Sequence, residues 1–287
     1  MGIKSFLFSA LFLSTTLNVQ GEESGHSKTS WTFAATKKFL SKNLPYQPRN
    51  TTFSLPTNCN HVKLDIGLSR EAWFSQIWMA KQDDLVVIGF EPNVESIQSV
   101  LKGVALPQCL AADFLSSDHP IRTKSQIPEL FGKRFFTIPC ALGLSKDKFT
   151  KFFVTQGDPG CSSLYKPNDF AVSKIIKVPV ITLEKFFDHF PFDTHPLIDY
   201  IKVDAQGSDL DIAKSGGHYL RERVVCITME AEQAQYAGTK NSVEMMDAYM
   251  ESIGFEKYTS KNFSDPTYVN IKFKDYFLEN EVFAFQQ

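Results

Sequence analysis

His61-Val62-Lys63-Leu64-Asp65-Ile66-Gly67 opens a unit that closes at Leu85-Val86-Val87-Ile88-Gly89-Phe90-Glu91-Pro92-Asn93, and the order of parts between them decides the fold. The first run is short, apolar and β-favouring, and it stops at a glycine where the backbone must turn. Residues 69–79 follow with Ala72, Phe74, Ile77 and Trp78 at helical spacing, behind Ser69, a residue type that caps free N–H groups. Residues 85–90 carry no polar side chain, which suits a parallel strand covered on both faces, and Glu91-Pro92 ends the run. Strand, turn, helix and strand in this order predict a parallel βαβ unit. Ligands bind such open sheets outside the carboxyl ends of the strands, so Asp65, Gly67 and Glu91 are expected to converge on one crevice. A carboxylate in Glu91's position commonly accepts both hydroxyls of a ribose.

The rest of the chain extends this unit. Residues 94–103 suit a helix with Ile97, Val100 and Leu101 inward and Gly103 at its C-terminal end, whereas residues 111–128 read as a surface connection. Residues 135–143 predict a third strand reaching the same crevice. Residues 148–155 alternate aromatic and polar side chains, Gly157-Asp158-Pro159-Gly160 makes a turn, residues 178–183 form a strand or edge segment, and residues 184–190 a short amphipathic helix. Ile198-Asp199-Tyr200-Ile201-Lys202-Val203 is a fourth strand with Asp204 at its end. Gly207-Ser208 then turn into a helix that Gly216-Gly217 stop, and residues 223–230 make a fifth strand that closes on Glu230. Four successive acids, Asp65, Glu91, Asp204 and Glu230, are therefore expected around one cleft. Residues 241–253 place Val243, Met246, Tyr249, Met250 and Ile253 on one helical face, which is a core pattern, and residues 255–258 and 267–273 read as two β segments joined at Asp265-Pro266.

Asp65-Ile66-Gly67, Gly89-Phe90-Glu91-Pro92-Asn93 and the run Ile198 through Asp209 together resemble the FkbM-type methyltransferases, over a span from about His61 to the C-terminus. The resemblance implies a Rossmann-like class I methyltransferase fold: an α/β protein with a mostly parallel central sheet, helices on both faces and a C-terminal antiparallel hairpin. It implies S-adenosylmethionine as cofactor, with Asp65 and Gly67 at the methionine part, Glu91 at the ribose, Asn93 in the same motif, and Cys140 and Ala141 beside the base. A plain strand end accounts equally well for the last two. Asp204 is the first candidate for orienting an acceptor hydroxyl or acting as general base, and Glu230 the second. The expected activity is O-methylation of a small molecule or glycan. The chain also departs from the family, whose glycine loop reads D-x-G-x-N-x-G. Here Ser69 replaces the asparagine and Glu71 the last glycine, and Gln206 stands where an acid is frequent. These changes favour, as the alternative, a secreted protein that keeps the fold and binds without turnover. A nicotinamide oxidoreductase is weaker still, because no G-x-G-x-x-G follows the first strand.

A length of 287 residues with 43% hydrophobic side chains is enough for one large domain. With 30 basic and 32 acidic residues interspersed, the net charge of −2 leaves no footprint for nucleic acid. Lys4 and the apolar run Phe6-Leu7-Phe8-Ser9-Ala10-Leu11-Phe12-Leu13 read as a secretory signal over residues 1–21, with an uncleaved anchor as the alternative; the run is short for a membrane span. Residues 22–60 then form an extension and residues 61–287 the methyltransferase-like domain. Sequons at Asn50 and Asn262 are compatible with a secreted or lumenal location. Five cysteines without CxxC spacing or a histidine cluster predict no zinc site, and Cys226 reads as a buried small hydrophobe.

Overall fold

The computed structural model describes residues 55–105, 115, 119–122, 124–145, 147–231, 235–258, 265–280 and 282. The signal over residues 1–21 and both sequons lie outside the described residues. In chain order the elements are β1 (His61–Ile66), α1 (Trp73–Lys81), β2 (Leu85–Phe90), α2 (Val94–Lys102), α3 (Ile127–Leu130), β3 (Phe135–Ile138), β4 (Ala141–Leu142) and β5 (Phe149–Thr155). They continue with β6 (Val172–Ile181), α4 (Leu183–Phe187), β7 (Ile198–Val203), α5 (Asp209–Lys214), α6 (Gly217–Arg223), β8 (Val224–Met229), α7 (Val243–Ser252), β9 (Phe255–Tyr258), β10 (Thr267–Asn270) and α8 (Lys274–Glu279).

Among the described residues, seven strands form one sheet in the order β3-β2-β1-β7-β8-β10-β9. Strands β1, β2, β3, β7 and β8 run parallel, and β10 lies antiparallel between β8 and β9. This mixed α/β architecture, with its mostly parallel sheet, is consistent with a Rossmann-like methyltransferase fold. The chain builds outward from β1 in one direction and, after a long excursion, from β7 in the other. The order therefore reverses between β1 and β7, where a crevice opens in such sheets.

Physical chemistry explains the well-placed elements. β1, β2, β7 and β8 are buried almost throughout and their hydrophobic side chains feed two clusters. One cluster takes Leu64, Ile88 and Val203 with Phe186 of α4 and Met246 and Met250 of α7. The other takes Leu85, Val87 and Tyr200 with Ile77 and Trp78 of α1. Helix α2 is bounded by chemistry at both ends: the Asn93 side chain accepts from Glu95 N at 3.1 Å, and Gly103 closes the helix at φ +83°. Ser242 caps α7 in the same way, accepting from Met245 N at 3.2 Å. Five of the 26 phenylalanines, Phe90, Phe186, Phe187, Phe190 and Phe192, pack edge-on or tilted against one another with centroid separations of 4.7–5.9 Å.

Four expectations need correction. Helix α1 begins at Trp73 and Ser69 does not cap it, because Ser69 and Ala72 adopt left-handed backbone (φ +54° and +46°) and form a longer turn. The predicted third strand divides at Pro139-Cys140, with β3 in the large sheet and β4 in a smaller one of order β4-β6-β5. β6 starts at Val172, six residues before the predicted edge segment, and pairs antiparallel with β5. Ile121 and Ile127, read as part of a surface connection, are buried.

At the amino ends of β1 and β7, buried Asp199 accepts from Val62 N (2.7 Å) and from the Tyr276 hydroxyl of α8 (2.6 Å), with His61 Nδ1 at 3.3 Å. The last helix is thereby tied to the base of the sheet. Among the described residues, Cys59, Cys140 and Cys226 are buried thiols and Cys161 a half-buried one, none of them in a disulfide.

Candidate active site

A cleft of about 260 Å³ opens at the carboxyl ends of β1, β2 and β7. Gly67 explains why the three strand ends can meet. Its φ is +87°, and a Cβ there would stand 1.9 Å from the Asp204 carbonyl oxygen, so only glycine lets the two turns touch. The ends are tied further by Gly67 N to Phe90 O (3.0 Å) and Asp204 N to Ile66 O (2.9 Å).

Glu91 lines the cleft with its carboxylate fixed on both sides. One oxygen accepts from Ser69 N at 3.2 Å and the other from Asn93 N at 2.7 Å, leaving each with further accepting capacity. Burial pushes its carboxyl up to about 8, against the pull of those two N–H groups. Asn93 itself is absent from the cleft's lining and works as the α2 cap. Cys140 and Ala141 line the wall beyond Glu91, and burial raises the Cys140 thiol to about 12.

Asp65 behaves differently from Glu91. It is directly across from Lys202 in the β1–β7 register, is 1% exposed, and is absent from the cleft's lining. Its carboxylate accepts from Ser75 Oγ at 2.6 Å and lies 3.6 Å from Lys202 Nζ, and burial raises its pKa. Lys202 is the hub that the strand reading passed over. Its ammonium also reaches Asp204 Oδ2 (3.1 Å) and the Gly67 carbonyl (3.2 Å), with the Phe74 ring 5.1 Å away. Burial alone would lower its pKa, but the two carboxylates outweigh that and push it up. A lysine inside a fully buried strand was the available signal, since a buried charge must be paired.

Asp204 lines the cleft and is joined to Glu230 through Gln206. The Gln206 amide nitrogen donates to Asp204 Oδ1 at 2.8 Å and to Glu230 Oε2 at 2.5 Å, while its carbonyl accepts from the Tyr236 hydroxyl. Gln206 therefore bridges the two acids, and a direct side-chain hydrogen bond with Glu230 also helps to lower the Asp204 pKa. Burial raises the Asp204 pKa, but the Lys202 ammonium and these hydrogen bonds more than reverse it and hold the carboxyl below its ordinary value. Asp209, buried behind them, accepts from Ala205 N and Glu230 N and ties the ends of β7 and β8 together.

The loop between β5 and β6 supplies the opposite wall. Asp158 Oδ1 accepts from Gly160 N at 2.8 Å, and Ser163 Oγ donates to the Gln206 carbonyl at 2.6 Å, which anchors the loop to the end of β7. A Cβ on Gly160 would come within 3.3 Å of Ser69 Oγ, so this loop meets the turn after β1. Glu71, in that turn, lines the cleft as well, and so does Ser208, whose buried hydroxyl has no partner among the described residues.

Residues 65–257, well over half of the chain, match the family described as the methyltransferase FkbM domain. The chain belongs to the FkbM methyltransferase family. A search of curated proteins returned no match. The FkbM match begins at Asp65 and takes in Gly67, Glu91, Asp204 and Glu230, so the whole cleft lies within it, and the family assignment suggests methyltransferase activity. The residues present fit a methyl-donating nucleoside: a buried carboxylate with spare acceptor capacity in Glu91, a glycine turn in Gly67, and an apolar wall that includes Phe90, Ala141 and Leu142.

Proposed function

We propose that the protein transfers a methyl group from S-adenosylmethionine to a hydroxyl oxygen of a small molecule or glycan, in the secretory pathway. The observation that carries this reading is the pairing, in one cleft at the switch point, of a backbone-anchored Glu91 with an Asp204 held ionised by Lys202. The cofactor, when bound, supplies an electrophilic methyl carbon. Gly67 and the turn after it would hold its amino-acid part, Glu91 its ribose hydroxyls, and Cys140 and Ala141 its base. Asp204 accepts a hydrogen bond from the acceptor hydroxyl, directs its lone pair, and takes the proton as the oxygen gives it up. Because its pKa is held low, Asp204 is a weak base and contributes chiefly by orientation. Gln206 keeps Glu230 and Asp204 in register, which gives Glu230 a supporting part. The secretory setting rests on the pattern of residues 1–21.

The test is calorimetric titration of the purified protein with S-adenosylmethionine, followed by a radiolabelled methyl assay on hydroxylated acceptors. Glu91→Ala removes both hydrogen bonds to the ribose hydroxyls, about 0.5–1.5 kcal/mol each for a carboxyl that burial keeps largely neutral, and so weakens donor binding roughly tenfold. Equal affinity in parent and variant would exclude the ribose role of Glu91. Tight donor binding without turnover on any acceptor would turn the assignment to a non-catalytic binding protein.

A further inference from the structure

Glu71 is a charged side chain in the cleft to which the proposed chemistry gives no specific contact. It occupies the position where the resembled loop has its last glycine, and left-handed backbone at Ser69 and Ala72 carries the turn outward so that Glu71 lines the cleft. The other carboxylates lining the cleft are engaged: Glu91 with two backbone N–H groups, Asp204 with Lys202 and Gln206, Asp158 with Gly160 N. Glu71 has only the Ser69 hydroxyl at 3.5 Å, the limit of a hydrogen bond, and among the described residues no cation lies within ion-pair distance. Lys202, the cation lining the cleft, is enclosed by Asp65 and Asp204. The cleft thus presents a carboxylate without a counter-ion on a wall that is already net acidic, and the complementary group is a cation with hydrogen-bond donors.

We infer that Glu71 recognises a primary ammonium, the α-ammonium of the bound methyl donor; this rests on the donor proposed above. The alternative source of the same group is an amine on the acceptor. The donor is favoured because Glu71 belongs to the turn of Gly67 and Ser69, and Ser69 N is bonded to Glu91, so ribose carboxylate and ammonium carboxylate are neighbours on one wall. The glycine replacement then serves recognition and does not mark a lost site.

Three nucleosides separate the possibilities in calorimetric titrations without acceptor: S-adenosylmethionine, S-adenosylhomocysteine, which keeps the ammonium, and 5′-methylthioadenosine, which lacks the amino-acid part. Glu71→Gln preserves size and is expected to weaken the first two by roughly tenfold or more while leaving the third within about twofold. Urea midpoints for parent and variant are expected to agree, since Glu71 makes no strong intramolecular bond. Unchanged affinity for all three, or an equal loss for all three, overturns the role of Glu71 and leaves the donor assignment standing. Failure of the parent to bind any of them removes the donor reading, and this inference with it. A loss confined to methylamine or an amino sugar titrated as a probe, with donor affinity intact, also overturns the inference by moving the ammonium to the acceptor.

Discussion

Gln206→Glu tests the bridge between Asp204 and Glu230 and also introduces the acid that the family resemblance leads one to expect there. The change replaces an NH₂ group that donates to two carboxylates, at 2.8 and 2.5 Å, with a third carboxylate between them. Hydrogen bonds to charged groups contribute about 1.5–3 kcal/mol each. Since the Asp204 side chain is 36% exposed, the low end applies, and losing both costs about 3 kcal/mol. Repulsion between the new carboxylate and its acidic neighbours adds to this, for a total of about 4 kcal/mol, a large fraction of a typical domain's 5–15 kcal/mol. In a protein of this size that lowers Tm by about 10 °C. The new carboxyl is held above its unfolded pKa by its neighbours. The penalty is therefore small below about pH 4.3, the free glutamate value, and grows as pH rises through the folded one. When protonated, the new group also supplies one O–H donor and restores one bond. Urea unfolding at pH 8 and pH 5 measures both effects, with a wide gap from the parent at pH 8 that narrows at pH 5. Equal stability at pH 8, or a gap that does not change with pH, would refute the bridge.

Asp204→Asn keeps the shape of the site but removes its charge, and turnover with an identified acceptor should fall roughly 10²-fold or more while donor affinity changes little; undiminished turnover would take Asp204 out of the mechanism. Gly67→Ala puts a methyl 1.9 Å from the Asp204 carbonyl at φ +87°, which should cost about 2–4 kcal/mol by denaturant titration, and a cost under about 0.5 kcal/mol would show that the two turns are free to separate. His61 is raised by its hydrogen bond to Asp199, although burial opposes this. Its stabilisation is complete below the free imidazole value near 6.5 and fades as pH climbs through the raised one. His61→Phe should flatten that part of the stability–pH curve by no more than about 1 kcal/mol, and an unaltered curve would assign the dependence elsewhere.

The sheet was legible where one residue type admits one structure. β1, β2 and β7 are short, β-favouring runs followed by a glycine or an acid, and α2 carries both of its caps in Asn93 and Gly103. The first half of β6 escaped because Ser173, Lys174 and Lys177 interrupt it and give no apolar run. The turn after β1 escaped because left-handed Ser69 and Ala72 are not residues that announce that backbone. At the site, strand-end logic gathered the acids but could not tell which ones face the cleft. Asp65 and Glu91 end adjacent strands, yet Asp65 turns to Lys202 across the β1–β7 pair while Glu91 is held at the cleft by backbone N–H groups. Partner identity across a sheet is a long-range fact, and a local pattern does not contain it.

The thiols of Cys59, Cys140, Cys161 and Cys226 have a consequence for the life of the chain before it is folded. Along the route proposed from residues 1–21, the polypeptide emerges into an oxidising lumen with Cys59, Cys140, Cys161 and Cys226 all exposed to thiol–disulfide exchange. Completion of the sheet buries three of them, and burial holds the Cys140 and Cys226 thiols in their unreactive protonated form. Maturation is then a race between collapse and oxidation, in which time spent unfolded accumulates wrong crosslinks that those buried thiols, once enclosed, have no means to form.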